Sequence, residues 1–305
     1  MNGILPLWKE RGMTSHDCVY KLRKILQTKK IGHGGTLDPD VDGVLPICIG
    51  RGTKVIEYLQ DSGKVYVGEI TLGYSTTTED VSGETVAVSP VRSELELSVI
   101  DSAMSQMVGT ITQIPPMYSA VRVEGKRLYE YAREGLEVER PQRKAEITYF
   151  KRTTPPVFNE EAGTLSWKFE VGCGKGTYVR TLAVDTGKIL GYEAHMSDLT
   201  RVGSGGYSAK DCLTLQQVAL LMEADDLSFL QPIETAVAMF ESIEVTPQEY
   251  QKIFKNGGFV PVADYQLQDD TGLIAILCEG QLISIYQKHP NKPQFLKPVK
   301  VLRND

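Results

Sequence analysis

Two periods of hydrophobic spacing run along the chain, and each predicts its own elements. Gly3 to Lys9 is a short apolar run of strand length. Thr14 or Ser15 then stands as N-cap to a helix carrying Val19, Leu22, Ile25 and Leu26 at helical spacing, with Lys29-Lys30 at its predicted end. Gly32 to Gly43 contains glycines and a proline that sustain neither a helix nor a central strand, so it is predicted to be a structured loop. Lys64 to Tyr74 alternates with a period of two, placing Val65, Val67, Glu69 and Thr71 on one face of a strand and Tyr66, Gly68, Ile70 and Leu72 on the other. Beyond Leu95 to Met107, spaced as a helix, Pro115-Pro116 interrupts. Leu165 to Val171 reads as a strand, Gly172 to Thr177 as a turn and Val179 to Leu190 as a helix. Thr214 caps a further helix through Leu221. A boundary fits between Ser228 and Ile243, after which a helix (Pro247 to Phe254) and a hairpin around Glu279-Gly280-Gln281 form a small β-rich appendix. The fold class expected is α+β with a strand-rich core.

Composition narrows the classes. The 305 residues, 41% hydrophobic and 24% charged, suit one large or two ordinary globular domains. No stretch approaches the ~18 apolar residues of a membrane span, and Trp8-Lys9-Glu10-Arg11 occupies the place of a signal peptide's apolar stretch, so a cytoplasmic protein is expected. Five scattered cysteines suggest neither zinc nor disulfides by their spacing. A net charge of −6 excludes a uniformly basic nucleic-acid binder, but phosphate contacts act locally. Between Val121 and Lys144, seven basic residues, including Lys126, Arg127 and Arg133, outnumber five acidic ones, with Tyr118, Tyr129 and Tyr131 nearby. Cations among aromatic faces suit a looped or single-stranded nucleic acid; the alternative is a solvated amphipathic helix.

Familiar catalytic templates fail. Gly172-Cys173-Gly174-Lys175-Gly176-Thr177 puts a glycine between the lysine and the threonine, so it lacks a phosphate-binding loop's ending, and Gly32-His33-Gly34-Gly35 lacks dinucleotide spacing. The four histidines form no metal-ligand pair, and Val202 to Gly206 matches only part of a serine-hydrolase elbow. What remains is Asp38, a turn former or a carboxylate nucleophile already ionised at neutral pH.

At this point a resemblance enters. Gly32-His33-Gly34-Gly35-Thr36-Leu37-Asp38-Pro39 with Gly43-Val44-Leu45-Pro46 closely resembles the signature loop of the bacterial tRNA pseudouridine-55 synthases, the TruB family. Lys64-Val65-Tyr66, the segment Pro115 to Arg133, and Gly174-Lys175-Gly176-Thr177-Tyr178-Val179-Arg180-Thr181 match further motifs in the same order, so the resemblance covers residues 3 to 220. It implies a mixed, largely antiparallel catalytic core over residues 1–240, an RNA-binding insertion at about 115–150, and a PUA-like domain over 241–305. It implies Asp38 as the catalytic aspartate, Tyr66 as the ring stacked on the target base and Arg180 as the aspartate's cationic partner. Leu199 is expected on the base's other face, His33 in the space left by a flipped nucleotide, and Asp80 as a second charge-assisted partner of Arg180. Tyr178, Lys126, Arg127 and Arg133 complete the expected substrate contacts. Gly34, Val41 and Asp42 depart from the family pattern; Gly34 is expected to loosen the loop and Asp42 to repel phosphate.

The activity implied is isomerisation of the T-loop uridine of tRNA, with no cofactor, no metal and no obligatory protein partner, by a monomer. Three rivals stand beside it: a guide-RNA-dependent relative acting on ribosomal RNA, a non-catalytic RNA-binding or folding protein, and a glycosidase pairing Asp38 with Asp42.

Overall fold

The alternating strand at Lys64–Leu72 is hydrogen-bonded along both edges, and its alternation turns Tyr66, Gly68, Ile70 and Leu72 into the core while Val65, Val67 and Glu69 are half-buried on the other face. The structure, a computed structural model, describes residues 1–268 and 272–304. Its main sheet runs in the order Gly3–Lys9, Asp42–Ile49, Ala194–Ser204, Lys64–Leu72, Thr164–Cys173, Arg143–Arg152, Gly109–Gln113. Every pairing on that path is antiparallel except the short parallel contact of Ala194–Ser204 with Asp42–Ile49. The fold is α+β with a mixed, largely antiparallel sheet.

Helices cover the sheet through their apolar stripes. Val179–Leu190 and Leu97–Ser105 place Leu182, Ala183, Ile100 and Met104 against Ile70, Leu72, Trp167 and Phe169. Ser15–Ile25 and Leu215–Glu223 cover Leu5, Leu7, Leu45, Ile47 and Ile49 in a second cluster. Residues 241–301 form a separate five-stranded sheet, in the order Glu241–Glu244, Leu273–Cys278, Gln281–His289, Lys292–Val301, Val260–Pro261. Its Ala275, Leu282 and Ile285, with Leu302 just beyond its last strand, share one buried cluster with Ile4, Cys48, Val55, Tyr58 and Leu59.

Several expectations change in the structure. The first helix stops at Ile25 rather than at Lys29-Lys30, because Gln27 takes a left-handed conformation (φ 48°). The glycine-rich loop is shorter than expected, since Ile31–His33 pairs with Asp42–Ile49 and leaves 34–41 as the connection. The segment from Val121 to Lys144 is not one amphipathic helix. Arg122–Val123 and Lys126–Arg127 form a hairpin whose turn residues Glu124 and Gly125 both have positive φ, and Leu128–Glu134 follows as a short helix. Arg143–Arg152 is then already the next strand of the sheet.

Candidate active site

Asp38 sits in a loop whose backbone is held on all sides. Arg201 donates to the carbonyls of Gly35 (3.2 Å) and Thr36 (3.4 Å), and Ser15 exchanges hydrogen bonds with the carbonyl and amide of Leu37. The Val41 amide donates to the Asp38 carbonyl, while Lys9 Nζ and the Gly12 amide both donate to that of Pro39. Five consecutive carbonyls are thus satisfied, and Leu37 and Val41 are buried in the main core. The loop thus packs through Leu37 and Val41, and the Gly34 amide donates to the Pro46 carbonyl at 2.8 Å. Lys9 is fully buried, and burial pushes its ammonium pKa down.

The Asp38 carboxylate, 44% exposed, meets the Arg180 guanidinium at 3.2 Å (Oδ2 to Nε). Arg180 stands in the first turn of Val179–Leu190, its side chain only 7% exposed. Its Nη1 donates to the Thr78 carbonyl at 2.8 Å and its Nη2 to the Tyr118 carbonyl at 2.9 Å. Gln113, buried at the end of its strand, grips the start of this helix by accepting from the Tyr178 amide and donating to the Tyr178 carbonyl. Asp80 lies 3.8 Å from Arg180 Nη1, an ion pair longer than the expected hydrogen bond. One of its oxygens instead takes bonds from Thr78 and Ser82, so Asp80 shapes the turn that presents the Thr78 carbonyl.

Tyr66 and Leu199 are buried beside Leu37 and Val41. Burial pushes the Tyr66 phenol up, and the neighbouring Arg201 guanidinium opposes that rise. Around these groups opens a hollow of about 570 Å³ lined by Asp38, Tyr66, Tyr178, Arg180 and Leu199. Lys64, Arg143, Lys144, Lys175 and Arg201 add further positive charge, and Asp38 is the sole carboxylate among the described lining residues. The site is a cation-lined, anion-attracting cavity with one carboxylate.

The remaining candidates lie outside that lining. His33 is at the loop's entry, its Nδ1 3.4 Å from the Gly35 amide, and burial lowers its pKa and favours the neutral ring. Lys126 pairs with Glu134 and lies over the Tyr131 ring. Arg127 and Arg133 both lie over the Tyr129 ring, at 5.7 and 5.2 Å. Asp42 is not among the residues lining the hollow: it accepts from Thr200 (2.6 Å) and pairs with Arg11, so its charge is partnered rather than turned on a phosphate there, and Asp38 has no second carboxylate beside it in the described lining. Lys9, Gln113 and Arg201 escaped the sequence reading. In a linear sequence they carry no mark that separates them from solvated polar residues.

Known proteins supply the comparison. The N-terminal domain model of the TruB family pseudouridylate synthases matches residues 23–179, and the tRNA pseudouridylate synthase B C-terminal domain model matches 180–238. Asp38 and Tyr66 therefore fall in one matched region and Arg180 and Leu199 in the other. A tRNA pseudouridine synthase B of Listeria monocytogenes is 52% identical over 303 residues, covering 99% of this chain and 98% of the relative. One from Bacillus pumilus is 51% identical over 308 residues, covering 100% and 99%. Among solved structures, a chain of a Cbf5-Nop10-Gar1 complex aligns with TM-score 0.71 at 25% identity, covering 99% of this chain and 85% of that one. A chain of the archaeal box H/ACA sRNP Nop10-Cbf5 complex shares the fold with TM-score 0.70 at 23% identity, covering 99% of this chain and 87% of that one. Half identity sustained from end to end, over a fold that closes both matched regions around one carboxylate, makes the chain a member of the TruB family of pseudouridylate synthases.

Proposed function

We propose that this enzyme isomerises the T-loop uridine of tRNA, position 55, to pseudouridine. The observation that carries the reading is the meeting of Asp38, Arg180 and Tyr66 in one cation-lined hollow. The roughly 51% identical relatives named as tRNA pseudouridine synthases favour tRNA over a guide-directed substrate.

The reaction breaks the bond from uracil N1 to ribose C1′ and forms one from C5 to C1′. The proton leaving C5 balances the one gained at N1, so no oxidant, reductant or net water is consumed. Asp38 is the anionic group that starts it, by attacking the ribose, attacking the base, or removing a ribose proton. Arg180 aims the carboxylate through its ion pair. Tyr66 offers the detached uracil a flat face on which to turn, with Leu199 on the opposite side. Flipping the target base into the hollow costs a few kcal/mol, which phosphate contacts from Arg143, Lys144 and Lys175 at the hollow and from Lys126, Arg127 and Arg133 offset. His33 fills the gap in the loop, Asp80 acts through Arg180, and Tyr178 borders the flipped nucleotide. Residues 241–305 are assigned as a PUA-like domain reaching toward the acceptor end of tRNA.

Purified enzyme incubated with a T-arm stem-loop should produce pseudouridine without any added protein or cofactor. Asp38→Asn should abolish turnover while retaining RNA binding. Appreciable isomerisation by that variant would remove Asp38 from its role, and release of free uracil would favour a hydrolase.

A further inference from the structure

Arg201 is fully buried near the middle of the sheet, yet no carboxylate lies within ion-pair distance among the described residues. A buried guanidinium without a counter-ion is costly, so the groups that hold it have to be well placed. Its Nε donates to the Val44 carbonyl at 2.7 Å, its Nη1 to that of Thr36 and its Nη2 to that of Gly35. Arg201 is also the cross-strand partner of Tyr66, and both residues line the hollow.

The backbone explains this reach. Arg201 is paired with Tyr66 on one side and with Gly43 on the other, where Ala194–Ser204 bridges the Tyr66 strand and the strand leaving the Asp38 loop. A Cβ at Gly43 would come within 2.1 Å of the Arg201 carbonyl, so the close approach of the two strands depends on glycine there. One side chain therefore ties the start of the Asp38 loop to the strand that leaves it, from a position paired with Tyr66. Lys9 ties the loop to the carbonyls of Glu10 and Met13, Ser15 bonds Leu37 within the loop, and Arg180 approaches from the helix, none of them from the Tyr66 strand's neighbour.

We propose that Arg201 is a positioning residue that sets the Asp38 loop against the Tyr66 ring. It borders the hollow, but its donors are spent on backbone carbonyls, so it acts through the loop it holds, and its planar fork is what allows several divergent carbonyls to be held at once. Lysine keeps the charge but cannot reproduce the fork, and glutamine keeps a planar amide but loses the charge. The proposal rests on the isomerase reading for its catalytic consequence, though not for its structural one.

The test compares Arg201→Lys and Arg201→Gln with the wild-type full chain in three measurements: affinity for a T-arm stem-loop, single-turnover pseudouridine formation, and hydrogen exchange of peptides spanning 34–44. Both variants should retain RNA affinity. Both should lose about 100-fold in the single-turnover rate, the scale expected when a reacting group moves by ~1 Å. Exchange protection should fall in 34–44 while the helix Val179–Leu190 stays protected. Near-wild-type rates with unchanged protection overturn the proposal. So does failure of both variants to fold, which would assign Arg201 to the fold as a whole. If the wild type itself makes no pseudouridine, the functional reading falls, and the exchange measurement still decides whether Arg201 holds the loop.

Discussion

Arg180 divides its guanidinium among three unrelated stretches of chain: the Asp38 carboxylate, the Thr78 carbonyl and the Tyr118 carbonyl. A lysine at this position would present one nitrogen, able to reach Asp38 or the carbonyls but not to hold all three in a plane. Arg180→Lys should therefore lower single-turnover pseudouridine formation by about 100-fold with little change in RNA affinity; a nearly normal rate would show that charge alone suffices. The residues of the site differ in how legible they are in the sequence. Asp38, Tyr66 and Arg180 stand in recognisable local motifs. Lys9, Gln113 and Arg201 do not, because a buried cation or amide is defined by the carbonyls that converge on it. Those carbonyls belong to residues as far away in sequence as Gly35, Pro39 and Tyr178.

At the scale of elements, the hairpin and short helix between Arg122 and Glu134 bring two guanidinium groups over the Tyr129 ring. The chain entering this hairpin is tied to the Asp38 site, since the Tyr118 carbonyl accepts from Arg180. Cations already arranged over aromatic rings are suited to exchange those partners for phosphates and stacked bases. Replacing Arg127 and Arg133 together with alanine should weaken RNA binding and flatten the dependence of log affinity on log salt, by roughly one unit for each phosphate no longer neutralised. A titration series across salt concentrations checks this, and an unchanged slope would return both arginines to a purely structural role. Sequence periodicity placed Lys64–Leu72 and Val179–Leu190 closely, since each has its own hydrophobic repeat. It missed Ala194–Ser204, whose His195, Asp198, Thr200 and Arg201 interrupt any simple alternation. That strand exists because two neighbours supply its ladder.

Across the whole molecule, the second sheet is fastened to the first through apolar and polar contacts alike. Ala275, Leu282, Ile285 and Leu302 bury Val55, Tyr58 and Leu59, Lys54 donates to the carbonyls of Val301 and Leu302, and Lys300 pairs with Glu57. Ending the chain at residue 240 would uncover that apolar surface and remove those bonds. The shortened protein should melt at a markedly lower temperature and aggregate more readily, whereas the full chain should unfold in one cooperative transition. Calorimetry of both forms tests the claim; two separate transitions in the full chain would make the C-terminal sheet energetically independent.

By itself the sequence determined the local elements with strong periodicity, the α+β class, and the ordered motifs around Asp38, Tyr66 and Arg180. Those features depend on residues close together in the chain, where spacing and side-chain type are enough. Only the tertiary structure decided which polar groups are buried, which carbonyls they satisfy, and that Asp38 lines the hollow while Asp42 does not. The reason is physical: desolvation and hydrogen bonding depend on what surrounds a group in space, and that environment is supplied here by segments more than a hundred residues apart.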